Sequence, residues 1–139
     1  MFQFNKGFIM LCDASTEQEC ISRNLFGDKS KKLQDLNEIE PGDIGLLFNF
    51  DKDELLGIFR ACSKARYDIE PKAWNGKFPA QISVELIGEL QRIKDATYML
   101  KKAGASMGLL STGVQAPTIP VHQRDVIEKI LVHFKELMK

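Results

Sequence analysis

The chain of 139 residues holds one tryptophan, two tyrosines, two histidines and three cysteines. It has no net charge, because nineteen basic residues are cancelled by nineteen acidic ones. Each scarcity excludes something. A neutral balance excludes the global positive field that binds phosphates regardless of sequence, though not a local patch around one base. Cys12, Cys20 and Cys62 are odd in number, lie in apolar stretches and contain no close Cys-x-x-Cys pair. Reduced, buried thiols are therefore expected in place of a disulfide framework or a zinc site. His122 and His133 are eleven residues apart, beyond finger spacing, and no metal site is expected. No apolar run approaches the roughly 20 residues that cross a bilayer. Met1 to Lys6 lacks the pattern of a signal peptide. The expectation is a soluble cytoplasmic chain with no membrane partner.

Catalytic and cofactor signatures are equally thin. Gly42, Gly45 and Gly57 do not space a phosphate-cradling loop, and no Gly-Lys-Ser/Thr occurs. No cofactor is expected. A nucleophile needs a base within reach, and both histidines fall in the final segment, His122 in the expected first turn and His133 within the helix. Cys12 beside Asp13 is the one nucleophile worth naming, yet a cysteine closing an apolar strand is ordinary core. Asp51, Asp53 and Glu54 read as solvated turn residues. The chain reads as a noncatalytic binding domain with no catalytic residue and no metal.

What is there is a good fold pattern. Phe8-Ile9-Met10-Leu11-Cys12 is the continuous apolar run of a strand covered on both faces. Thr16 with Glu19, or Ser15 with Gln18, makes a capping box for a short helix burying Cys20, Ile21 and Leu25 and ending near Gly27. Lys29 to Glu40 is lysine-rich, with Leu33, Leu36 and Ile39 at helical spacing. After the Pro41-Gly42-Asp43 turn, Ile44, Leu46, Phe48 and Phe50 alternate with Gly45, Leu47 and Asn49. Across the connector Asp51 to Glu54 this strand forms a hairpin with Leu55 to Cys62. Tyr67 to Ile69 suits a short edge strand, and Glu70 to Pro79 is irregular. Ala80 to Gly88 alternates as another strand.

Lys94 to Lys102 predicts a helix with Ala96, Met99, Leu100 and Ala103 as its stripe. Gly104 to Pro120 predicts mostly loop, and Pro120 the first turn of a final helix. In that helix Val126, Ile127, Ile130, Leu131, Phe134 and Leu137 repeat at helical spacing. The whole chain, 1–139, reads as a single α+β domain: a small β-barrel with flanking helices and a C-terminal helix.

The binding residues follow from unusual placements. Trp74, the only tryptophan, sits in an irregular loop before Asn75-Gly76, and Phe26 sits beside Gly27. Loop aromatics make stacking surfaces for a base or hold a cation; Trp74 could equally plug the barrel's end. Lys29, Lys31, Lys32, Lys64, Arg66, Lys72 and Lys77 could rim one barrel mouth for a few phosphates, or be a solvated surface.

Several segments in order resemble one family. Gly7 to Cys12, Thr16 to Cys20, Leu25-Phe26-Gly27, Ile39 to Asp43, Leu47 to Asp51, Leu56 to Phe59 and Gly76 to Gln81 resemble the successive motifs of the DCD (development and cell death) domain. The resemblance spans residues 7 to about 88. One departure stands out: the family's Phe-Gly-Leu-Pro is Phe26-Gly27-Asp28-Lys29 here. The order of elements is also similar to the wider PUA-like barrels, including the EVE, ASCH-related and YTH domains. In YTH domains an aromatic cage holds a methylated adenine. That resemblance implies Phe26 and Trp74 as cage walls, with Asn24 and Asp13 facing the base edge. It implies RNA or a modified nucleobase as the partner. The plant DCD members imply the alternative, a protein–protein interaction or signalling adaptor.

Overall fold

The computed structural model describes residues 3–134. Its centre is the hairpin of β3 (Ile44–Asn49) and β4 (Glu54–Ala61). Every residue of β3 is buried, as its apolar run on both faces requires. Ahead of it come β1 (Lys6–Cys12), α1 (Glu17–Ser22), β2 (Leu25–Asp28) and a 3-10 helix (Ser30–Leu36). After it come β5 (Arg66–Tyr67), a second 3-10 turn (Ala73–Gly76), β6 (Ala80–Lys94) and α2 (Ala96–Ala103). The hairpin of β7 (Met107–Leu109) and β8 (Gln115–Pro117), then β9 (Val121–Gln123) and α3 (Arg124–Leu131), complete the order.

The main sheet runs β2-β6-β4-β3-β1-β9, with β5 also on β6. β1 is parallel to β3 and the other pairings are antiparallel. The α+β class expected from the sequence is the fold observed, with the sheet curled into a half-barrel. Alternation along each strand splits the core in two. Ile44, Leu46 and Phe48 of β3 join Ile9 and the helix residues Leu100, Ile127, Ile130 and Leu131 on one face. Leu47 points the other way, with Phe8, Phe26, Leu56, Phe59 and Ile82. Each such side chain contributes about 1.5–3 kcal/mol by leaving water.

Three expectations are corrected. The helix after Thr16 stops at Ser22, because Asn24 takes a left-handed φ of 51° and Phe26 pairs with Ile82 across β2–β6. The strand from Ala80 continues past Gly88 to Lys94, its far half held by pairing from Glu54↔Lys94 to Gly57↔Gln91. Gly104 to Pro120 is mostly loop, as expected, with the short strands β7 and β8 paired within it. The final helix begins at Arg124, not at Pro120, because the Pro120 carbonyl accepts the Ile9 N–H at 2.8 Å and His122 pairs with Gly7. Leu137 lies outside the described residues. No helix among the described residues is long and apolar enough to cross a membrane.

Candidate functional site

The site starts at an interrupted strand edge. β9 pairs with β1 only at Lys6, Gly7 and Phe8, with one further bond from Ile9 to Pro120. Beyond Pro120 the partner chain turns away, as the Thr118 N–H donates to the Ser106 carbonyl at 2.8 Å. In a strand, alternate residues direct their backbone polar groups to the same side. Ile9 bonds toward β9 and the Cys12 carbonyl bonds toward β3 through Phe50, so Leu11 faces the side that β9 has left. A cavity of about 580 Å³ occupies this gap, a volume within the usual range for a small-molecule site. It is lined by Leu11 of β1, Trp74 and Phe78 from the second 3-10 turn and its exit, Asp28 at the end of β2, and Leu109 and Ile119 of the C-terminal segment.

Trp74 is held there by α1. Its indole Nε1–H donates to the Thr16 carbonyl at 3.1 Å, and the Glu19 carboxylate accepts its backbone N–H at 2.9 Å. Both Trp74 and Asn75 adopt left-handed backbone, with φ of 50° and 54°. Such a conformation costs a non-glycine residue about 1–2 kcal/mol, so the two hydrogen bonds and the packing of the ring must offset it. Phe78 packs edge-on against the indole, ring centres 5.9 Å apart. Glu19 therefore does not close a capping box with Thr16. Asp13 serves as the cap: its Oδ1 accepts the N–H groups of Ser15 and Thr16, each at 2.9 Å, and the Ser15 hydroxyl at 2.7 Å. Burial pulls the Asp13 carboxyl upward, but these hydrogen bonds outweigh it and hold the group below its usual range.

Helix α1 is in turn fixed to the sheet. The Glu17 carboxylate, buried, accepts from both terminal nitrogens of Arg92 at 3.0 and 2.7 Å, and from Asn49 Nδ2 at 2.9 Å. Arg92 also reaches Glu54 at 3.2 Å. The guanidinium hydrogen bonds keep the Glu17 carboxyl below its usual range. Behind the opposite wall, buried His122 accepts the Ser106 N–H at Nε2, 3.2 Å away, and Nδ1 lies 3.3 Å from the Pro120 carbonyl. The network assigns the proton to Nδ1. Burial pushes the imidazole below its ordinary pKa, outweighing the Pro120 carbonyl, so the ring is neutral and ties the two ends of the hairpin segment together.

The residues expected from the sequence are only partly brought together. Trp74 and Asp13 line the cavity, as do Lys29, Lys31 and Lys32. Phe26 does not: it is fully buried between Phe8 and Phe59, with ring centres 6.0 and 5.0 Å away. Its place as a cage wall is corrected to a place in the core, because β2 turns it inward. Asn24 is exposed at the turn after α1, away from the cavity. Asp13 is at the cavity, but its Oδ1 is spent on the cap.

Lys64, Arg66, Lys72 and Lys77 lie off the cavity. Lys64 pairs with Glu40 at 2.9 Å, Arg66 sits on the edge strand β5, and exposed Lys72 and Lys77 flank the Trp74 turn in sequence. The rim is thus three lysines, and Lys32 shares its charge with Asp35 at 3.7 Å.

Cys12 and Cys20 also line the cavity. The hydrogen bond between their thiols and burial push the Cys12 thiol far above its ordinary range, which removes the thiolate a nucleophile would need. His122 is a strand residue, not a first-turn one, and exposed His133 follows α3 instead of lying within it. Among the described residues no group of three His, Cys, Asp or Glu side chains is placed to hold a metal. The hairpin wall and Asp28 were not anticipated. Three-residue strands carry too little periodicity to read, whereas Asp28 had a signal in the departure from the resembled Phe-Gly-Leu-Pro motif.

The family model described as "Development and cell death domain" matches residues 6–102. The chain belongs to the DCD family. The B2 protein of Daucus carota is 35% identical over 85 residues, which cover 56% of this chain and 41% of that protein. The DCD domain-containing protein NRP-B of Glycine max is 35% identical over 85 residues, covering 56% and 26%. The chain thus spans less than half the length of the curated relatives it matches. Among solved structures, the YTH domain of Mmi1 in complex with RNA is similar at a TM-score of 0.64 and 11% identity, over 92% of this chain and 80% of that one. The YTH domain of Zygosaccharomyces rouxii MRB1, in complex with N6-methyladenosine RNA, gives 0.63 and 10%, over 98% and 92%. These likenesses show a shared fold. The DCD match ends at Lys102, so the wall formed by Gly108 to Thr112 and Ala116 to Pro120 lies outside the matched segment.

Proposed function

We propose that this DCD domain binds single-stranded RNA noncatalytically, seating one splayed base, plain or modified, in the cavity between Trp74 and the β7–β8 segment. The observation that carries the reading is the built wall: a tryptophan held in left-handed backbone by Thr16 and Glu19 at an open strand edge. Strain of that kind persists where the surroundings enforce it, and it gathers at ligand sites. Unstacked bases fit sites that combine a stacking face, a few polar groups and a modest positive rim. Asp28 and the backbone of Leu11 supply the polar groups, lysines 29, 31 and 32 the rim, and the 4% exposed Trp74 the inner edge of an apolar wall that Leu109 and Ile119 complete. Leu109 and Ile119, 71% and 49% exposed at the mouth, leave apolar surface for a ligand to cover. The YTH neighbours solved with RNA and with N6-methyladenosine RNA share this fold, which supports the same use of it here. The same exposed apolar pair favours a protein-interaction module as the second reading.

The test is a titration of short labelled RNAs, with and without modified bases, against the wild type and a Lys29→Ala/Lys31→Ala/Lys32→Ala variant. The wild type is expected to bind, and the variant to bind more weakly with a salt slope lower by about one per phosphate-contacting lysine removed. No binding by the wild type, or equal binding and salt dependence in both, refutes the proposal; a stable protein partner without RNA supports the second reading.

A further inference from the structure

We propose that Asp28 reads the bound base by accepting a hydrogen bond from an exocyclic amino group, so that the cavity prefers adenine, cytosine or guanine over uracil. The inference rests on the RNA-binding reading above and specifies its ligand. Asp28 closes β2 and lines the cavity together with Leu36 and Trp74. Its Oδ1 accepts the Lys29 N–H at 2.7 Å. Among the described residues no other donor reaches it, which leaves its second oxygen for a ligand.

The surroundings make that oxygen demanding. Burial pushes the Asp28 carboxyl above its ordinary range, and Asp35 adds to the push, while the Lys29 N–H and the charges of Lys32 and Lys29 oppose it. A carboxylate stripped of part of its water and short of donors gains from any N–H brought to it. Amino groups on base edges supply that donor, as when Asp or Glu accepts from cytosine N4. Uracil has no amino group: the one donor on its pairing edge, N3–H, is flanked on both sides by carbonyl oxygens, so a carboxylate that approaches it also meets lone pairs. Turned toward Asp28 these oxygens set lone pairs against lone pairs, a mismatch that discriminates more strongly than a missing contact. The same negative charge keeps phosphate off the cavity floor and leaves it to the lysines at the mouth.

The experiment titrates labelled nine-residue RNAs of A, C or U against the wild type and Asp28→Asn. The wild type is expected to hold the A and C oligomers about tenfold more tightly than U. In the variant the amide can donate to a uracil carbonyl, and the gap should close to within about threefold. Asn keeps the oxygen that accepts from Lys29, so the melting curve of the variant, recorded alongside, should show it folded. Equal binding of all three oligomers by the wild type, or a preference that survives in Asp28→Asn, overturns the inference and leaves the RNA reading standing. No binding of any RNA by the wild type overturns the RNA reading and the inference with it.

Discussion

Gly27 and Trp74 are in such close register that a Cβ on Gly27 would lie 2.5 Å from Cζ3 of the indole and 3.1 Å from the Phe78 carbonyl. The glycine is there because the ring lies flush on β2. A Gly27→Ala substitution must displace either the indole or the strand, an overpacking that typically costs about 1–3 kcal/mol. Urea unfolding should register that loss. As Trp74 is the only tryptophan, its emission should shift in the folded variant.

Trp74 itself is 4% exposed, so removing it does more than empty a site. Trp74→Ala should destabilise the fold by about 3–5 kcal/mol and is a poor probe of binding on its own. Trp74→Phe keeps a ring but leaves the Thr16 carbonyl without its indole partner. Its cost should be smaller, about 1–2 kcal/mol including that lost hydrogen bond. The comparison of the two by denaturant titration separates packing from the tie to α1.

The tie from α1 to the sheet should be sensitive to one partner. Arg92→Met leaves the buried Glu17 carboxylate with only Asn49 among its strong donors. Truncating one side of a buried pair costs about 3–5 kcal/mol, but the Arg92 side chain is 36% exposed and water reaches the site, so about 2 kcal/mol is expected. The Glu17 carboxyl titrates below its ordinary value in the folded chain. Its contribution is therefore present above the ordinary glutamate range and is lost as pH falls through the folded value. Acid titration of stability should show this step in the wild type and a diminished one in Arg92→Met.

His122 gives the opposite wall a pH dependence of its own. Its folded pKa lies below the ordinary 6.5 because burial disfavours the imidazolium. The unfolded chain then binds the proton more readily, so stability is full above pH 6.5 and falls as pH drops from there toward the folded value. Protonation also abolishes the acceptor at Nε2 for Ser106. Hydrogen exchange is expected to show the Ser106 amide losing protection in this window, with His122→Gln removing the dependence. An unchanged Ser106 amide between pH 7 and 5 contradicts the assignment.

The particular residues show what sequence pattern could and could not convey. The β3–β4 hairpin was legible because seven alternating residues name both faces at once, and the two cores follow that alternation. Trp74 was legible as an oddity, a large aromatic beside Asn75-Gly76, and the ordered family motifs fixed the fold around it. Phe26 was misplaced because adjacency to Gly27 suggests a loop, whereas pairing to Ile82 makes a strand and turns the ring inward. Glu19 does not take the capping role its spacing from Thr16 suggests, and Asp13 takes it instead, since caps are decided by which donors lie nearby and not by spacing alone. The C-terminal wall depends on contacts such as His122 with Ser106, sixteen residues apart, which no local period encodes.

The most direct test of the central claim, that the cavity between Trp74 and the β7–β8 segment seats an RNA base, is a nitrogen–proton NMR titration with a short single-stranded RNA. The account requires the largest shifts at the Trp74 indole N–H and at the amides of Leu11, Asp28, Leu109 and Thr118. Shifts gathered on the α2–α3 face, or none at saturating RNA, would contradict it.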